Sequence, residues 1–462
     1  MNYVSTRGDA PVLDFCQVVT TGLATDGGLY VPETWPKVST AEMEAWKELT
    51  YPQLVVEVMQ KFVGESISRE ELAEMAERAY GSFTHPAIAP LVQLEDKLWV
   101  MELFHGPTLA FKDFALQFLG QLFDHILAKS KQRRTIVGAT SGDTGSAAIE
   151  AVRGSEFIDI FMLHPHGRVS EVQRRQMTTI PDANVRNLAV DGDFDDCQGM
   201  VKAMFNDLTF RDEVGLSAVN SINWARVAAQ VVYYFRAALA LGAPGQAVSF
   251  SVPSGNFGNV FAGYVAKQMG LPIQQFVVGS NRNDILTRFF ASGAMEAEPV
   301  VASLSPSMDI QVSSNFERLL FELADRDGDQ VRDWMGSFSQ SGRFSVSPEQ
   351  HRKVSELFAA HSLSDAQTKD EMRRLYESSE YLIDPHSAIG VAAARAARAD
   401  NAHPMIVLGT AHPAKFPDAV RAATNQDAAL PPRVAHIMRA VERVEQVPND
   451  VETIKAVVRD GS

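Results

Sequence analysis

The chain has 462 residues, too many for one ordinary domain and enough for two or three, each with its own core. Its composition, 45% hydrophobic and 21% charged, is that of a globular protein rather than a fibrous or disordered one. A formal net charge of -15, with no long block of like charge, argues against a nucleic-acid-binding surface. It does not argue against an anionic small substrate, because local groups set the field inside a pocket. Cys16 and Cys197, far apart in sequence, offer no disulfide framework and suit a reducing cytosol. Arg7, Asp9 and Asp14 interrupt any signal-like apolar stretch, and no apolar run is long enough to span a bilayer. A soluble, cytoplasmic protein is expected, with a small-molecule substrate and no nucleic-acid or membrane partner, as a monomer or homodimer.

Residues 1 to about 95 read as a mainly helical lead-in. Ser68 to Glu71 forms a capping box, and Leu72, Met75, Ala76 and Ala79 follow at helical spacing. The Pro-containing stretch from Thr84 to Pro90 reads as a linker. Beyond it, short apolar runs alternate with amphipathic segments. Leu98–Glu102, Thr135–Ala139, Ile158–Leu163, Val185–Val190, Val248–Val252, Phe276–Gly279 and Met405–Gly409 are expected strands. Phe114–Ala128, Ser146–Val152, Asn223–Leu241 and Val260–Met269 are expected helices, the first with a core stripe of Phe114, Phe118, Leu122 and Ile126. Such alternation predicts an α/β fold with largely parallel sheets covered by helices. Residues 291–345 are Ser-rich and show no clear period, and order returns at Ser347, where Pro348 and Gln350 complete a helix start.

Three polar features interrupt this pattern where α/β proteins bind ligands. Thr140-Ser141-Gly142-Asp143-Thr144-Gly145-Ser146 follows an expected strand and opens a helix, so its amides can seat an anion. Ser254-Gly255-Asn256-Phe257-Gly258-Asn259 does the same after Val248–Val252. Neither matches a P-loop or GxGxxG pattern, which weakens nucleotide readings. Each alone is also compatible with a purely structural turn. The third feature is Phe111-Lys112-Asp113-Phe114. An isolated lysine there would ordinarily lie with its stem along apolar surface. A lysine held in a partly apolar pocket instead loses affinity for its proton, which favours the free amine that an aldehyde cofactor requires. Together, an amine, a phosphate cup and a carboxylate seat are what a pyridoxal phosphate (PLP) site needs.

His105-Gly106-Pro107-Thr108-Leu109-Ala110-Phe111-Lys112-Asp113 resembles the lysine motif of threonine synthases, within the tryptophan-synthase-β-like fold type II of PLP enzymes. The resemblance runs nearly end to end, through Tyr3–Gly8, Gly22–Pro32, Ala139–Ala147, Asn220-Ser221-Ile222-Asn223-Trp224-Ala225-Arg226, Ser305–Ile310 and Gly409-Thr410-Ala411-His412-Pro413. Length and the helical lead-in resemble the longer bacterial and fungal form. The resemblance implies a mainly helical region over 1–95, a smaller α/β domain over 96–225 with the lysine and substrate loop, and a larger one over 226–462 with the phosphate loop. It implies Lys112 as the lysine that bears PLP and moves protons, and Gly255, Asn256, Phe257, Gly258 and Asn259 as the cofactor-phosphate cup. Thr410 would meet the pyridine nitrogen, where a hydroxyl, unlike a carboxylate, cannot hold a proton by charge pairing.

Ser141, Gly142, Asp143, Thr144 and Gly145 would hold the substrate carboxylate, while Arg226 and Ser221 would hold a substrate phosphate. From its helix alone Arg226 reads as exposed. Asp143 departs from the Asn of many fold relatives, and its role is open, since a carboxylate cannot donate a hydrogen bond. The implied reaction converts O-phospho-L-homoserine and water to L-threonine and phosphate, the last step of threonine biosynthesis. Two other readings compete: a PLP phospho-lyase giving 2-oxobutyrate, ammonia and phosphate, or a non-catalytic α/β module binding a phosphorylated metabolite. No metal is expected, and His164 and His166 beside Pro165 read as loop histidines.

Overall fold

Apolar β-rich runs bounded by turn residues become the strands of two open sheets in the computed structural model, which describes residues 1–217, 221–399 and 402–461. The larger sheet has six strands in the order Phe358–Ser362, Ile273–Ser280, Val248–Pro253, Met405–Gly409, Leu98–Glu102 and Leu91–Glu95. All its neighbours pair in parallel except the last two, which form an antiparallel edge. The smaller sheet is parallel throughout, ordered Glu445–Val447, Val185–Val190, Ile158–Pro165, Arg134–Ala139 and Leu216–Ser217. Ile158–Pro165, buried along its whole length, is mostly apolar, as a parallel sheet covered on both faces requires, and Val248–Pro253 is as deeply buried with Ser249 and Ser251 among its apolar residues.

The sheets do not follow the cuts drawn from the sequence. Leu91–Glu95 and Leu98–Glu102 straddle residue 95 and belong to the larger sheet, whose other strands lie beyond residue 225. Glu445–Val447 returns to the smaller sheet from the far end of the chain. Parallel neighbours need crossover connections, so adjacent strands in a sheet are drawn from distant segments.

The first 80 residues supply helices Phe15–Thr21, Thr40–Trp46, Tyr51–Val63 and Arg69–Tyr80. They also supply a small antiparallel pair, Tyr3–Ser5 with Tyr30–Pro32, which joins the two N-terminal blocks of the family resemblance. This region shares one core with the rest. Tyr80 donates from its hydroxyl to the Phe114 carbonyl at 2.8 Å, and Phe62 and Tyr3 pack edgewise or tilted on Trp224. The capping boxes at Ser68 and Ser347 form as predicted.

The Ser-rich stretch resolves into helices Phe316–Leu323 and Gly328–Ser341 between two short paired strands, Ala294–Glu296 and Arg343–Ser345. Three-residue strands carry too few alternations to show a period. His164 is a correction: it lies within the strand Ile158–Pro165 rather than a loop, buried, with neither ring nitrogen hydrogen-bonded. No helix among the described residues is long and apolar enough to cross a membrane.

Candidate active site

The candidate loops leave the carboxyl ends of parallel strands in both sheets. Lys112 is the first residue of the helix Lys112–Ser130, two residues earlier than the apolar stripe alone suggests. Asp113, beside it, is fully buried and clamps the preceding turn by accepting from Thr108 N at 2.8 Å and Thr108 Oγ1 at 2.6 Å. Burial pushes the Asp113 carboxyl up to about 6. A side chain at Gly106 would strike Asp113, with an ideal Cβ only 2.5 Å from the Asp113 Cβ, so the turn needs glycine there. Phe111 N donates to the Thr410 carbonyl at 2.8 Å, which ties the lysine turn to the end of Met405–Gly409.

The Lys112 side chain is 13% exposed, and its Nζ lies 3.9 Å from Asp143 Oδ2. Burial lowers its pKa, Asp143 opposes that, and Arg226 and Lys415 reinforce it, leaving Lys112 at about 8. Lys112 therefore gives up its proton more readily than an exposed lysine, as expected of a lysine in a partly apolar pocket.

In the Thr140 loop the amides divide into two groups. Thr140 Oγ1 accepts from Gly142 N at 3.0 Å and from Gly145 N at 2.9 Å. Those two glycines therefore shape the loop and spend their amides internally. The amides of Ser141, Asp143 and Thr144 make no hydrogen bond among the described residues and open at the start of helix Asp143–Val152. Gly142 has φ of 144°, and a Cβ there would come within 2.5 Å of Gln173.

The Ser254 loop follows the same logic. Phe257, at φ 63°, gives its amide to Ser254 Oγ and buries its ring among Phe290, Phe316 and Phe358. Asn259 spends its side chain on Ser254 Oγ, the Pro253 carbonyl and Val260 N. The amides of Gly255, Asn256, Gly258 and Asn259 are unpartnered among the described residues. Four open amides at a helix N-terminus suit a phosphate, so the residues present fit the phosphate end of PLP. A Cβ at Gly255 would lie 2.9 Å from Ile310 Cδ1 and 3.2 Å from Met308 Cα, so the Ser305–Ile310 block walls the cup. Gly255→Asp is expected to weaken PLP binding by on the order of 100-fold, the worth of two charge-assisted hydrogen bonds. Equilibrium dialysis against PLP checks this, and wild-type affinity would remove the loop from the cofactor site.

Thr410 is buried and receives structure from behind: its amide donates to Ser387 Oγ at 2.8 Å, and Ser387 donates to Asp384. His386 Nδ1 lies 2.9 Å from the same carboxylate. Asp384, His386 and Ser387 escaped the sequence reading because the helix start Asp384-Pro385 is indistinguishable from any N-cap.

Arg226 overturns the exposed reading of its helix. It is 6% exposed, and its Nε and Nη1 have no hydrogen-bond partner. Burial lowers its pKa to about 10, and its charge is felt at Lys112. Ser221 lies near the Ser254–Asn259 loop, where its carbonyl accepts from Asn315 Nδ2 at 3.1 Å beside Gly258. Asn220 lies outside the described residues.

Asp143 receives its role from groups that the sequence reading missed. It pairs with Lys415 Nζ at 2.7 Å, and accepts from Gln173 Nε2 at 2.9 Å and Ser307 Oγ at 3.2 Å. Burial works against ionisation, but Lys415, Lys112 and the bonds from Lys415 and Gln173 hold the carboxyl far below the usual range. Asp143 is thus an anion, unable to donate toward a cofactor oxygen.

Family models match three consecutive parts of the chain: threonine synthase N terminus over residues 2–80, pyridoxal-phosphate dependent enzyme over 83–348, and threonine synthase C-terminal over 387–458. The threonine synthase of Pseudomonas aeruginosa is 54% identical, over 99% of this chain and 98% of its own. The chain belongs to the threonine synthase family. A crystal structure of PLP-bound threonine synthase from Brucella melitensis superposes with a TM-score of 0.98 at 50% identity, covering 100% of this chain and 99% of that one. The yeast threonine synthase structure gives 0.95 at 41% identity, covering 100% and 98%. Membership makes the fold a type II PLP fold, the cofactor pyridoxal phosphate and the activity that of a lyase.

Proposed function

We propose that the chain converts O-phospho-L-homoserine and water to L-threonine and phosphate, using the residues above in specific roles. The observation that carries the substrate is Arg226: a buried guanidinium with two unpartnered nitrogens, electrostatically coupled to Lys112. A buried cation without an anion is costly unless a ligand completes it, and a phosphate suits a guanidinium's two-pronged donors. Ser221 stands at the start of the same segment and is its proposed companion.

Bound PLP supplies the electron sink that lets protons leave the substrate's Cα and Cβ. The open amides of Ser141, Asp143 and Thr144 hold the substrate carboxylate, with Gly142 and Gly145 fixing the loop. The Gly255–Asn259 segment would hold the cofactor phosphate through backbone amides, and Thr410 would supply a hydroxyl to the cofactor's ring nitrogen. Lys112, low in pKa and next to the reacting carbons, takes and returns protons there. Phosphate departs from Cγ, water adds at Cβ, and protons return to Cα and Cγ. Two unpaired cysteines support a reducing, cytoplasmic setting, and the reading includes a monomer or homodimer.

Product analysis on O-phosphohomoserine tests the reaction. Threonine and phosphate in equal amounts are expected; 2-oxobutyrate with ammonia would replace the synthase by a phospho-lyase. Borohydride reduction of the PLP-loaded protein should fix a pyridoxyl group on Lys112 alone. Peptide mapping of the adduct to Lys129, Lys131 or Lys415 would overturn the lysine assignment.

A further inference from the structure

Lys415 is fully buried, and the reaction outlined above does not use it. It ends the short turn Pro413–Lys415 that follows Thr410. Its Nζ donates to the Thr108 carbonyl at 2.7 Å and meets Asp143 Oδ1 at 2.7 Å, so it joins the lysine turn to the substrate loop. A buried ammonium needs such partners whatever its purpose. The arrangement of charge goes further than a strut, because the other oxygen of Asp143 faces Lys112 Nζ at 3.9 Å. One carboxylate is therefore divided between two ammonium groups, and the closer contact goes to Lys415. Among the described residues Lys112 has no other ion pair.

We propose that Lys415 is a positioning residue that keeps Lys112 available as a free amine, by engaging Asp143 and by placing a second positive charge in the same pocket. The proposal rests on the reading of Lys112 as the PLP-bearing lysine. The physical reason is direct. A carboxylate hydrogen-bonded to Lys415 stabilises the Lys112 ammonium less, and the Lys415 charge repels that ammonium outright. The charged groups bearing on Lys112 are Asp143, Arg226 and Lys415, from three separate elements. Lys415 in turn is felt by Asp113 and His412. Burial and His105 hold His412 down to about 4, so it stays neutral where Lys112 titrates.

The test titrates the Lys112 amine itself in the full-length chain freed of PLP. Competitive acetylation with acetic anhydride across pH, read by peptide mass spectrometry, gives the midpoint. The wild-type midpoint is expected near 8. Lys415→Met should raise it by ~1 pH unit or more, a roughly tenfold loss of free amine at neutral pH. Lys415→Arg should stay near wild type, and Asp143→Asn should lower the midpoint. The double variant Asp143→Asn with Lys415→Met leaves neither partner buried alone. Its midpoint should fall between those of the two single variants, which keeps the test readable if Lys415→Met folds poorly. A Lys415→Met midpoint at or below wild type, or a double variant no higher than Asp143→Asn, would overturn the proposal. A pyridoxyl adduct away from Lys112 would instead defeat the reading on which it rests, and the titration would not report that failure.

Discussion

Lys112→Ala should lose the visible absorbance of bound PLP and reduce turnover of O-phosphohomoserine by roughly 10⁴-fold or more, since the variant lacks both the covalent anchor and the proton carrier. The protein itself should stay folded. Lys112 contributes only a 3.9 Å ion pair to Asp143, and Asp143 keeps Lys415, Gln173 and Ser307 when the lysine is gone. No buried ion is left alone, which is the situation that makes loss of one partner destabilising. Absorbance, steady-state kinetics and a thermal melt of the cofactor-free proteins measure the three parts. Turnover within tenfold of wild type would exclude Lys112 as the acid–base group. A collapsed melt would assign it a structural role.

Arg226→Ala should cut turnover of O-phosphohomoserine on the order of 100-fold or more, the range seen when one fixed donor to a developing charge is removed. PLP loading should be unaffected, because the cofactor phosphate is assigned to the open amides of Gly255, Asn256, Gly258 and Asn259. The melting temperature should stay close to wild type, since the substitution removes a buried guanidinium whose Nε and Nη1 bond to nothing in the protein. Arg226→Lys should recover only part of the rate, as a point charge lacks the two-pronged geometry. Binding of amino acids without phosphate should barely change in either variant. Wild-type turnover by Arg226→Ala would move the substrate's phosphate pocket elsewhere. Loss of PLP from that variant would make the arginine a support of the cofactor instead.

Much of this protein was legible in its sequence wherever local physics is enough. Leu98–Glu102, Val185–Val190 and Met405–Gly409 form as strands with the predicted ends, because each is a short apolar run with a turn at its border. Ser68 and Ser347 cap helices through side chains three residues away, a contact that any short window contains. The two glycine loops open helices as predicted, though the helices begin at Asp143 and Gly258, three and two residues earlier than expected, since the strand, the turn and the helix start are contiguous in the chain. Sheet membership crosses the cuts at residues 95 and 225, because the chain passes between the sheets more than once. The edge strand Phe358–Ser362 and the returning strand Glu445–Val447 are short and carry no β-branched run, so only their parallel neighbours make them strands. Arg226 sits on the helix Trp224–Ala240, which is buried on nearly all sides, so its position on the helix could not tell pocket from solvent. Asp143 and Lys415 meet only because the turn after Met405–Gly409 is laid against the loop after Arg134–Ala139. Periodicity records whether a residue is buried, but which charges share a buried pocket is decided by how distant strands are ordered and packed.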